Sequence, residues 1–250
     1  MKVLLTRPKG QNHAMANALT ANDIDYVVTP LLAIKSVDNL ELSTTFSFEN
    51  ADIVIFTSVN AVAYANNAFS SLTAHPWSQN IAYFAIGTAT QKACEAIGIK
   101  AISAPEQQQH SEGLLSLELL KNVTNKKIII VRGNGGRNLL AETIETRGAK
   151  VEYLEVYQRC CPKLNGEQIL KSWQQQGVDT IILPSTAQLN NLISVIPKSI
   201  LTTELFSWLQ SCHIIVSSSR AREQALNYGF FHVTDAQGPD TNAMLKALNI

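Results

Sequence analysis

Short apolar runs alternate with amphipathic stretches along most of the chain. Val3–Leu5, Ile53–Phe56 and Ile128–Val131 are continuous apolar runs without alternating polar positions. Such runs are typical of strands in parallel sheets, which are covered on both faces. Between them, stretches such as Asn12–Ala21 carry apolar residues at helical spacing. The pattern therefore predicts an α/β chain with doubly wound parallel sheets.

The same pattern predicts the following elements, whereas the polar stretch Ser36–Asn50 stays unassigned. The predicted strands are Val3–Leu5, Tyr26–Val28, Ile53–Phe56, Ala82–Ile86, Ile99–Ser103, Ile128–Val131, Val151–Tyr157, Thr180–Leu183, His213–Val216 and Phe231–Thr234. The predicted helices are Asn12–Ala21, Asn60–Phe69, Ala89–Ala96, Leu114–Leu120, Asn138–Arg147, Glu167–Gln176, Ala187–Val195, Arg220–Tyr228 and Asp240–Leu248.

Three segments of the first half of the chain return in the second half in the same order. Each copy is a short apolar run followed by a Ser, Thr or Gly turn and a helical stretch. A repeat of this length is too long for one unit of a solenoid and indicates two similar α/β domains. We expect the turns to line an active-site cleft between these domains. The pairs are Val3–Pro8 with Ile128–Gly133, Ala51–Ser58 with Val178–Ser185, and Tyr83–Gly87 with Ile214–Ser218.

Charge and composition argue against several classes of protein. The 250 residues include 20 Lys and Arg against 20 Asp and Glu, so we expect no attraction to nucleic acid or an anionic membrane. The opening apolar run is too short for a signal peptide, and no apolar stretch is long enough to span a bilayer. The cysteines form no Cys-x-x-Cys pair, which predicts a reduced, cytoplasmic protein. They are Cys94, Cys160, Cys161 and Cys212.

Familiar catalytic and cofactor motifs are missing from the sequence. The five histidines are scattered, and there is no Gly-x-Ser-x-Gly elbow, Walker loop or His-Glu-x-x-His motif. The loop Gly133–Asn138 follows a predicted strand, but Asn138 stands where a dinucleotide loop needs its third glycine. The alternative is a tight turn between strand and helix that requires positive φ. We expect no metal and no cofactor.

Turns rich in Ser, Thr and Gly stand at the start of several predicted helices. One interpretation is that each turn is an N-cap. The other is that free backbone N–H groups and the positive end of the helix dipole bind carboxylates or phosphates. Several such ends would let a neutral protein bind a ligand with many carboxylates. The turns are Thr57–Ser58, Gly87–Thr90, Ser111–Gly113, Pro184–Thr186 and Ser217–Ser219.

Several short motifs, none of them diagnostic alone, follow one another along the chain. They are Thr6–Pro8, Phe56–Val62, Ala85–Thr90, Ser111–Leu115, Val131–Gly133, Arg147–Ala149 and Val156–Arg159. In order and spacing the chain resembles the uroporphyrinogen-III synthase family over essentially its whole length. The resemblance implies one domain from residues 1–34 with 163–250 and another from residues 38–155. Linkers at residues 31–37 and 156–162 would then form a two-stranded hinge.

The resemblance also implies an activity. The family closes the linear tetrapyrrole hydroxymethylbilane to uroporphyrinogen III in haem biosynthesis, inverting ring D and releasing water. Because the substrate also closes unaided to the uninverted isomer I, catalysis is expected to be chiefly orientation. We expect a lyase that acts on this small molecule and, in the absence of any signal for an oligomer, a monomer. The alternatives are a non-catalytic ligand-binding module with two α/β lobes and a nucleotide-sugar or dinucleotide enzyme.

The resemblance assigns roles to particular residues. Tyr157 matches a family tyrosine near the hinge and could donate a proton to the leaving hydroxyl. The alternative is an aromatic side chain that only packs at a strand end. The turn at Ser218 departs from the Gly-x-Thr-Thr-like turn of many family members, which weakens the expected contacts there. The candidate substrate-binding residues are Arg7, Ser58, Gly87, Thr88, Ala89, Thr90, Ser111, Arg132, Ser185, Thr186 and Ser218.

Overall fold

The computed structural model of the protein describes residues 1–37, 48–70, 77–136 and 138–250, apart from the side chain of Glu49. Residues 38–47 of the unassigned stretch and Arg137 of the predicted glycine loop lie outside the described residues. The chain divides into two compact units, residues 1–34 with 160–250 and residues 35–159. Within the described ranges, no helix has the length and apolar character needed to cross a membrane.

Strands and helices alternate along the described residues. The strands are β1 (Lys2–Leu5), β2 (Asp25–Val28), β3 (Ala33–Ser36), β4 (Ile53–Phe56), β5 (Ala82–Ala85), β6 (Ala101–Ser103), β7 (Lys127–Gly133), β8 (Lys150–Cys160), β9 (Thr180–Leu183), β10 (His213–Val216) and β11 (His232–Asp235). The helices are α1 (His13–Ala21), α2 (Val59–Ser70), α3 (Thr88–Glu95), α4 (Ser111–Leu115), α5 (Leu139–Thr146), α6 (Gly166–Gln175), α7 (Thr186–Val195), α8 (Glu204–Ser211), α9 (Ser219–Tyr228) and α10 (Thr241–Ala247).

The first unit is built around a parallel sheet with the strand order β11-β10-β9-β1-β2. Successive residues of β1 point to opposite faces, as the pleat of a strand requires. Val3 and Leu5 pack with buried residues of α1 and α10, whereas Leu4 packs on the other face with Trp173 of α6. Helices therefore cover both faces, which is why β1 is continuously apolar.

The second unit contains a sheet with the order β3-β8-β7-β4-β5-β6, in which all pairs from β8 to β6 are parallel. On one face, Ile53 and Ile55 of β4 pack with Leu114 of α4 and Ile144 of α5. On the other face, the ring of Phe56 lies 5.6 Å from the ring of Trp77, edge to face. Both faces of this sheet are again covered by apolar side chains.

The two sheets have the same strand order once the repeated segments are matched. β1, β9 and β10 correspond to β7, β4 and β5 and occupy equivalent places in their sheets. The first sheet, written β2-β1-β9-β10-β11, has the flavodoxin-like 2-1-3-4-5 order. The second sheet has the same spatial order, β8-β7-β4-β5-β6. Here the chain forms β4, β5 and β6 before β7 and β8, and β3 is added beside β8. The predicted fold class, two similar doubly wound α/β domains with parallel sheets, is confirmed.

One predicted helix is shorter than its pattern indicates. The pattern predicts Leu114–Leu120, but α4 stops at Leu115 and a 3₁₀ turn follows at Glu118–Leu120. The Nη1 group of Arg147 donates hydrogen bonds to the carbonyls of Leu115 at 3.0 Å and Leu120 at 2.7 Å. The guanidinium thus provides partners for carbonyls at the end of α4 and of the 3₁₀ turn, which have no partner within a helix.

Helix α8 is missing from the predicted elements. It buries Leu205, Phe206 and Leu209 in the core of the first unit. Strand β8 is also longer than predicted, because it continues beyond Tyr157 to Cys160. The other predicted strands and helices form with ends shifted by two residues or fewer.

Replacing Leu4 by Ala should destabilise the first unit by about 2–5 kcal/mol, because it removes a fully buried side chain. Hydrogen exchange measured by mass spectrometry should then become faster in peptides from β9 and β10. The matched variant Ile128→Ala, also fully buried but in the second unit, should instead accelerate exchange in β4 and β5. Equal acceleration in both units by Leu4→Ala would contradict the pairing of β1 with the C-terminal strands.

Candidate active site

The carboxyl ends of β4 and β7 meet where the strand order of the second sheet reverses. In doubly wound sheets such switch points are where ligands bind. A cavity of about 180 Å³ lies at this point, and its lining includes Thr57, Ser58, Ser111, Arg132 and Tyr157. Pockets for whole small molecules are usually about 300–1,000 Å³. The cavity is therefore smaller than a typical pocket for a whole small molecule.

Tyr157 reaches this cavity through a β-bulge in β8. Arg132 of β7 pairs with Glu155, but the next residue, Gly133, pairs with Tyr157, which leaves Val156 as the extra residue. Bulges redirect the side chains that follow them. As a result two consecutive residues are buried, Val156 at 1% and Tyr157 at 2% exposure. The bulge turns the Tyr157 ring into the second unit.

The hydroxyl of Tyr157 lies beside a helix cap. Its oxygen is 3.1 Å from Oγ of Ser58, and the Ser58 Oγ accepts a hydrogen bond from the backbone N–H of Ala61 at 3.1 Å. Thr57 fixes the preceding position, because its Oγ1 donates to the carbonyl of Val131 at 3.1 Å. Ser58 is thus both the cap of α2 and the hydrogen-bond partner of Tyr157.

Arg132 lies in the cavity wall but is only 7% exposed. Its Nε donates to the carbonyl of Gly133 at 3.2 Å, and its Nη2 donates to the carbonyl of Gly135. The guanidinium carbon lies 4.6 Å from the centroid of the Tyr153 ring, and Nε is 3.9 Å from a carboxylate oxygen of Glu155. The Nε and Nη2 groups of Arg132 are therefore both bonded within the protein.

The loop after β7 has the geometry of a tight turn. Gly135 has a φ of +67° and Gly136 a φ of +110°, a region that residues with a Cβ rarely adopt. The carbonyl of Gly135 points to the Arg132 guanidinium instead of leaving the loop free around a phosphate. This geometry favours the tight turn over the dinucleotide loop.

The start of α3 is occupied by a side chain of the protein. The backbone N–H and the Oγ1 of Thr88 both donate to Oε1 of Gln109, each at 3.1 Å. Gly87 is the N-cap residue, and a Cβ at this position would lie 2.7 Å from the same oxygen. Ala89 is exposed, whereas Thr90 is buried at 6% exposure. Thr90 therefore faces the interior of the second unit.

The candidate Ser residues of the first unit are N-caps with side-chain hydrogen bonds. Ser185 accepts from the N–H of Gln188 at 3.3 Å and donates to its Oε1 at 2.8 Å. The amide nitrogen of Gln188 in turn donates to Oγ1 of Thr6 at 3.1 Å. Ser218 accepts from the N–H of Ala221 at 3.3 Å and caps α9. Thr186, partly buried, is the first residue of α7.

Arg7 follows β1 in the first unit and contacts the loop before α10. Its Nη2 donates to the carbonyl of Pro239. Burial lowers the pKa of Arg7, and the negative charge of Asp240 partly opposes this. Arg7 corresponds to Arg132 in the repeat, and both guanidinium groups donate to backbone carbonyls of neighbouring loops.

The structure therefore brings four candidates together at one cavity, Ser58, Ser111, Arg132 and Tyr157. The sequence had not singled out Tyr153 or Gln109. Neither residue belongs to a sequence motif. Tyr153 lies against Arg132 and Gln109 accepts from Thr88, and both contacts join residues that are distant in sequence. Within the described part of the chain, no group of three or more His, Cys, Asp and Glu side chains is arranged to hold a metal ion.

Comparisons with known proteins identify the family of the chain. A family model described as uroporphyrinogen-III synthase HemD matches residues 13–246. The uroporphyrinogen-III synthases of Salmonella typhimurium and Escherichia coli are 33% and 31% identical to this chain, covering 99% of it and 100% of each relative. The crystal structure of uroporphyrinogen-III synthetase from Helicobacter pylori aligns with a TM-score of 0.63 at 14% identity, covering 99% of this chain and 97% of that one, and thus supports the fold. The chain belongs to the uroporphyrinogen-III synthase family.

Proposed function

We propose that the protein closes hydroxymethylbilane to uroporphyrinogen III in haem biosynthesis, with inversion of ring D and loss of water. Membership of the family supports the activity. The observation that supports the mechanism is the position of the buried Tyr157 hydroxyl. It lies 3.1 Å from Oγ of Ser58, the N-cap residue of α2, at the cavity between the ends of β4 and β7. In this proposal the protein acts as a cytoplasmic monomer and needs no metal, cofactor, nucleic acid or membrane.

The substrate supplies most of the reactivity. Departure of its hydroxyl as water gives an electrophilic azafulvene, which the substituted α-carbon of ring D attacks to form a spiro intermediate. The intermediate fragments and closes again with ring D turned over. Because unaided closure gives isomer I, the protein has to hold ring D so that the substituted carbon attacks. Restricting the bound conformations is a form of catalysis that needs no nucleophile or metal.

Tyr157 acts as the proton donor for water loss. Its hydroxyl gives a proton to the departing hydroxide and becomes a phenolate. When the closing ring regains its aromatic form, it releases a proton, which restores the phenol. The proton count over one turnover is therefore balanced, and the only molecule released is water.

Ser58 and α2 stabilise the phenolate in this step. The N–H of Ala61 already donates to Ser58 Oγ, so the Ser58 hydroxyl hydrogen is available to the Tyr157 oxygen. The N-terminus of the 12-residue helix α2 stands behind this pair and carries a positive partial charge. A negative charge that develops on Tyr157 is thus placed at the favourable end of a helix.

The many carboxylates of the substrate are held by helix starts and a few side chains. In this proposal the cavity at Ser58 and Ser111 accepts one acidic side arm. The starts of α7 and α9, with Ser185, Thr186 and Ser218, and the arginines Arg7 and Arg132 hold others, whereas the Thr88 donors at the start of α3 are already bonded to Gln109. Distributing the anions over backbone N–H groups suits a chain whose formal net charge is zero.

The activity is tested by supplying hydroxymethylbilane and separating the product isomers. The purified protein should convert the substrate mainly to isomer III, whereas the reaction without protein gives isomer I. A ligand-binding module would leave the isomer distribution of the unaided reaction unchanged. That outcome would overturn the proposed function.

Tyr157→Phe should lower kcat by roughly 10²–10⁴, the usual contribution of a positioned acid. The ring is kept, so the thermal unfolding midpoint should change little. Some isomer III should still form, because ring inversion depends on how the substrate is held and water can still leave unaided. Turnover close to that of the unchanged protein would reduce Tyr157 to a packing residue.

Ser58→Ala should reduce both stability and turnover. Loss of the cap should cost about 0.5–2 kcal/mol of stability, and loss of a hydrogen bond to a charged oxygen should lower kcat roughly 10- to 100-fold. Asn165→Ala is the control, because Asn165 caps α6 through Gln168 N–H at 3.1 Å on an exposed surface. The control should lose stability and keep kcat. An equal, small loss of activity in both variants would leave Ser58 as a cap only.

A further inference from the structure

The glycine-rich loop after β7 lies directly against Tyr157. Gly133 is paired with Tyr157 across β7 and β8. A Cβ built on Gly133 would overlap the Cε2 and Cζ atoms of the Tyr157 ring and lie 2.9 Å from Cδ2. Real Cβ atoms do not approach other atoms so closely, so the Tyr157 ring can occupy this place only because residue 133 has no side chain.

The requirement at Gly133 is for space and not for an unusual backbone. Gly135 and Gly136 have positive φ values, but Gly133 is not among the residues in that region. An alanine at position 133 would therefore keep the backbone conformation and act on the Tyr157 ring alone. This separates Gly133 from the glycines that shape the turn.

Asn134 holds the β8 backbone on both sides of the same ring. Its backbone N–H donates to the carbonyl of Tyr157 at 2.8 Å. Its side-chain Oδ1 accepts from the N–H of Arg159 at 3.1 Å. The two bonds fix the strand immediately after the bulge, where regular pairing between β7 and β8 has already been interrupted.

Arg132 fixes the loop itself. Through its bonds to the carbonyls of Gly133 and Gly135 it holds the first and third loop residues to one guanidinium. Because Arg132 is almost fully buried, this arrangement is part of the interior of the unit. The bulge, the absence of a side chain at Gly133 and the two hydrogen bonds of Asn134 together fix the position of the Tyr157 ring.

We propose that Gly133 and Asn134 are positioning residues that place the Tyr157 hydroxyl against Ser58. The catalytic consequence rests on the proposed function, since it is Tyr157 that donates the proton. The placement itself can be measured without substrate. In sequence, the glycine-rich segment resembles a dinucleotide-binding loop that lacks its third glycine. In this proposal it instead positions the Tyr157 side chain of the neighbouring strand.

Gly133→Ala should move the Tyr157 ring and lower kcat roughly 10- to 100-fold, as expected for a displacement of about 1 Å. KM should stay within about twofold, because the ring is placed for the proton transfer and not for binding. In a Tyr157→Phe background the same change should lower kcat no further, since the hydroxyl it displaces is already missing. An equal fall of kcat in both backgrounds would overturn the proposal.

Gly98→Ala is the matched control for adding a methyl group in the second unit. Gly98 has a φ of +81° and no atom within 4 Å of a built Cβ, so alanine there strains the backbone without touching Tyr157. This variant should lower the unfolding midpoint and keep kcat. A loss of kcat in Gly98→Ala equal to that in Gly133→Ala would attribute the effect to general destabilisation and overturn the proposal.

Fluorine NMR of protein labelled with 3-fluorotyrosine tests the placement independently of activity. Among the six tyrosines, the Tyr157 signal is the one missing from Tyr157→Phe. It should shift in Gly133→Ala and stay in place in Gly98→Ala. An unmoved signal would overturn the proposal even if activity falls. A shifted signal in a protein that forms no isomer III would uphold the placement while the proposed function fails.

Asn134 provides a second test should Gly133→Ala fail to fold. Asn134→Ala removes the acceptor for the Arg159 N–H, whereas Asn134→Asp keeps an oxygen there. Asn134→Ala should shift the Tyr157 signal and lower kcat, and Asn134→Asp should restore both. Equal behaviour of the two variants would show that the acceptor at position 134 does not position Tyr157.

Discussion

The parallel pairing of β1 with β9 is the interaction that decides which strands belong to the first sheet. It joins residues 3–5 to residues 180–182, and a buried hydrogen bond of 2.6 Å from Thr6 Oγ1 to the carbonyl of Ile182 closes the same junction. β1 lies inside its sheet, between β9 and β2, so the C-terminal strands cannot complete a covered core without the first residues of the chain. Residues 35–159 are left to build the second sheet from their own strands.

The two repeats share their framework and differ in what they place at the switch point. Ser58 and Ser185 are equivalent caps that follow β4 and β9. Ser58 meets the phenol of Tyr157 beside a cavity, whereas Ser185 meets the buried amide of Gln188, which is satisfied by Thr6. The side-chain oxygen and nitrogen of this amide each therefore have a hydrogen-bond partner within the protein. In the proposed function, the proton transfer is therefore assigned to the second unit, at Tyr157 and Ser58.

The position of Tyr157 depends on small local features acting together. The bulge removes the regular alternation of β8, Gly133 leaves room for the ring, and Asn134 secures the strand beyond it. Arg132, although positively charged, holds the loop through backbone carbonyls. In the proposed function, this precision suits a protein that has to hold one reacting geometry among several.

Local sequence determined the elements and the fold class. Ile53–Phe56, Thr180–Leu183 and His213–Val216 form with the predicted ends, because a short continuous apolar run has few alternatives to a buried parallel strand. The repeat indicated two similar sheets, and the Ser turns indicated helix starts that the structure contains. Helix α8 is absent from the predicted elements, although its buried residues Leu205, Phe206 and Leu209 stand at helical spacing.

Only the tertiary structure decided which of the candidate residues meet. The bulge at Val156, the space at Gly133 and the contact of Gln109 with Thr88 each join parts of the chain that are distant in sequence. The carbonyls of Leu115 and Leu120, at and beyond the end of α4, likewise accept from Arg147, which is distant in sequence. The periodicity of apolar residues indicates which face of a helix or strand is buried. Which residues pack against that face depends on the tertiary structure. The sequence by itself therefore determined two doubly wound sheets with Ser and Thr turns, and packing alone placed one phenol beside one of those turns.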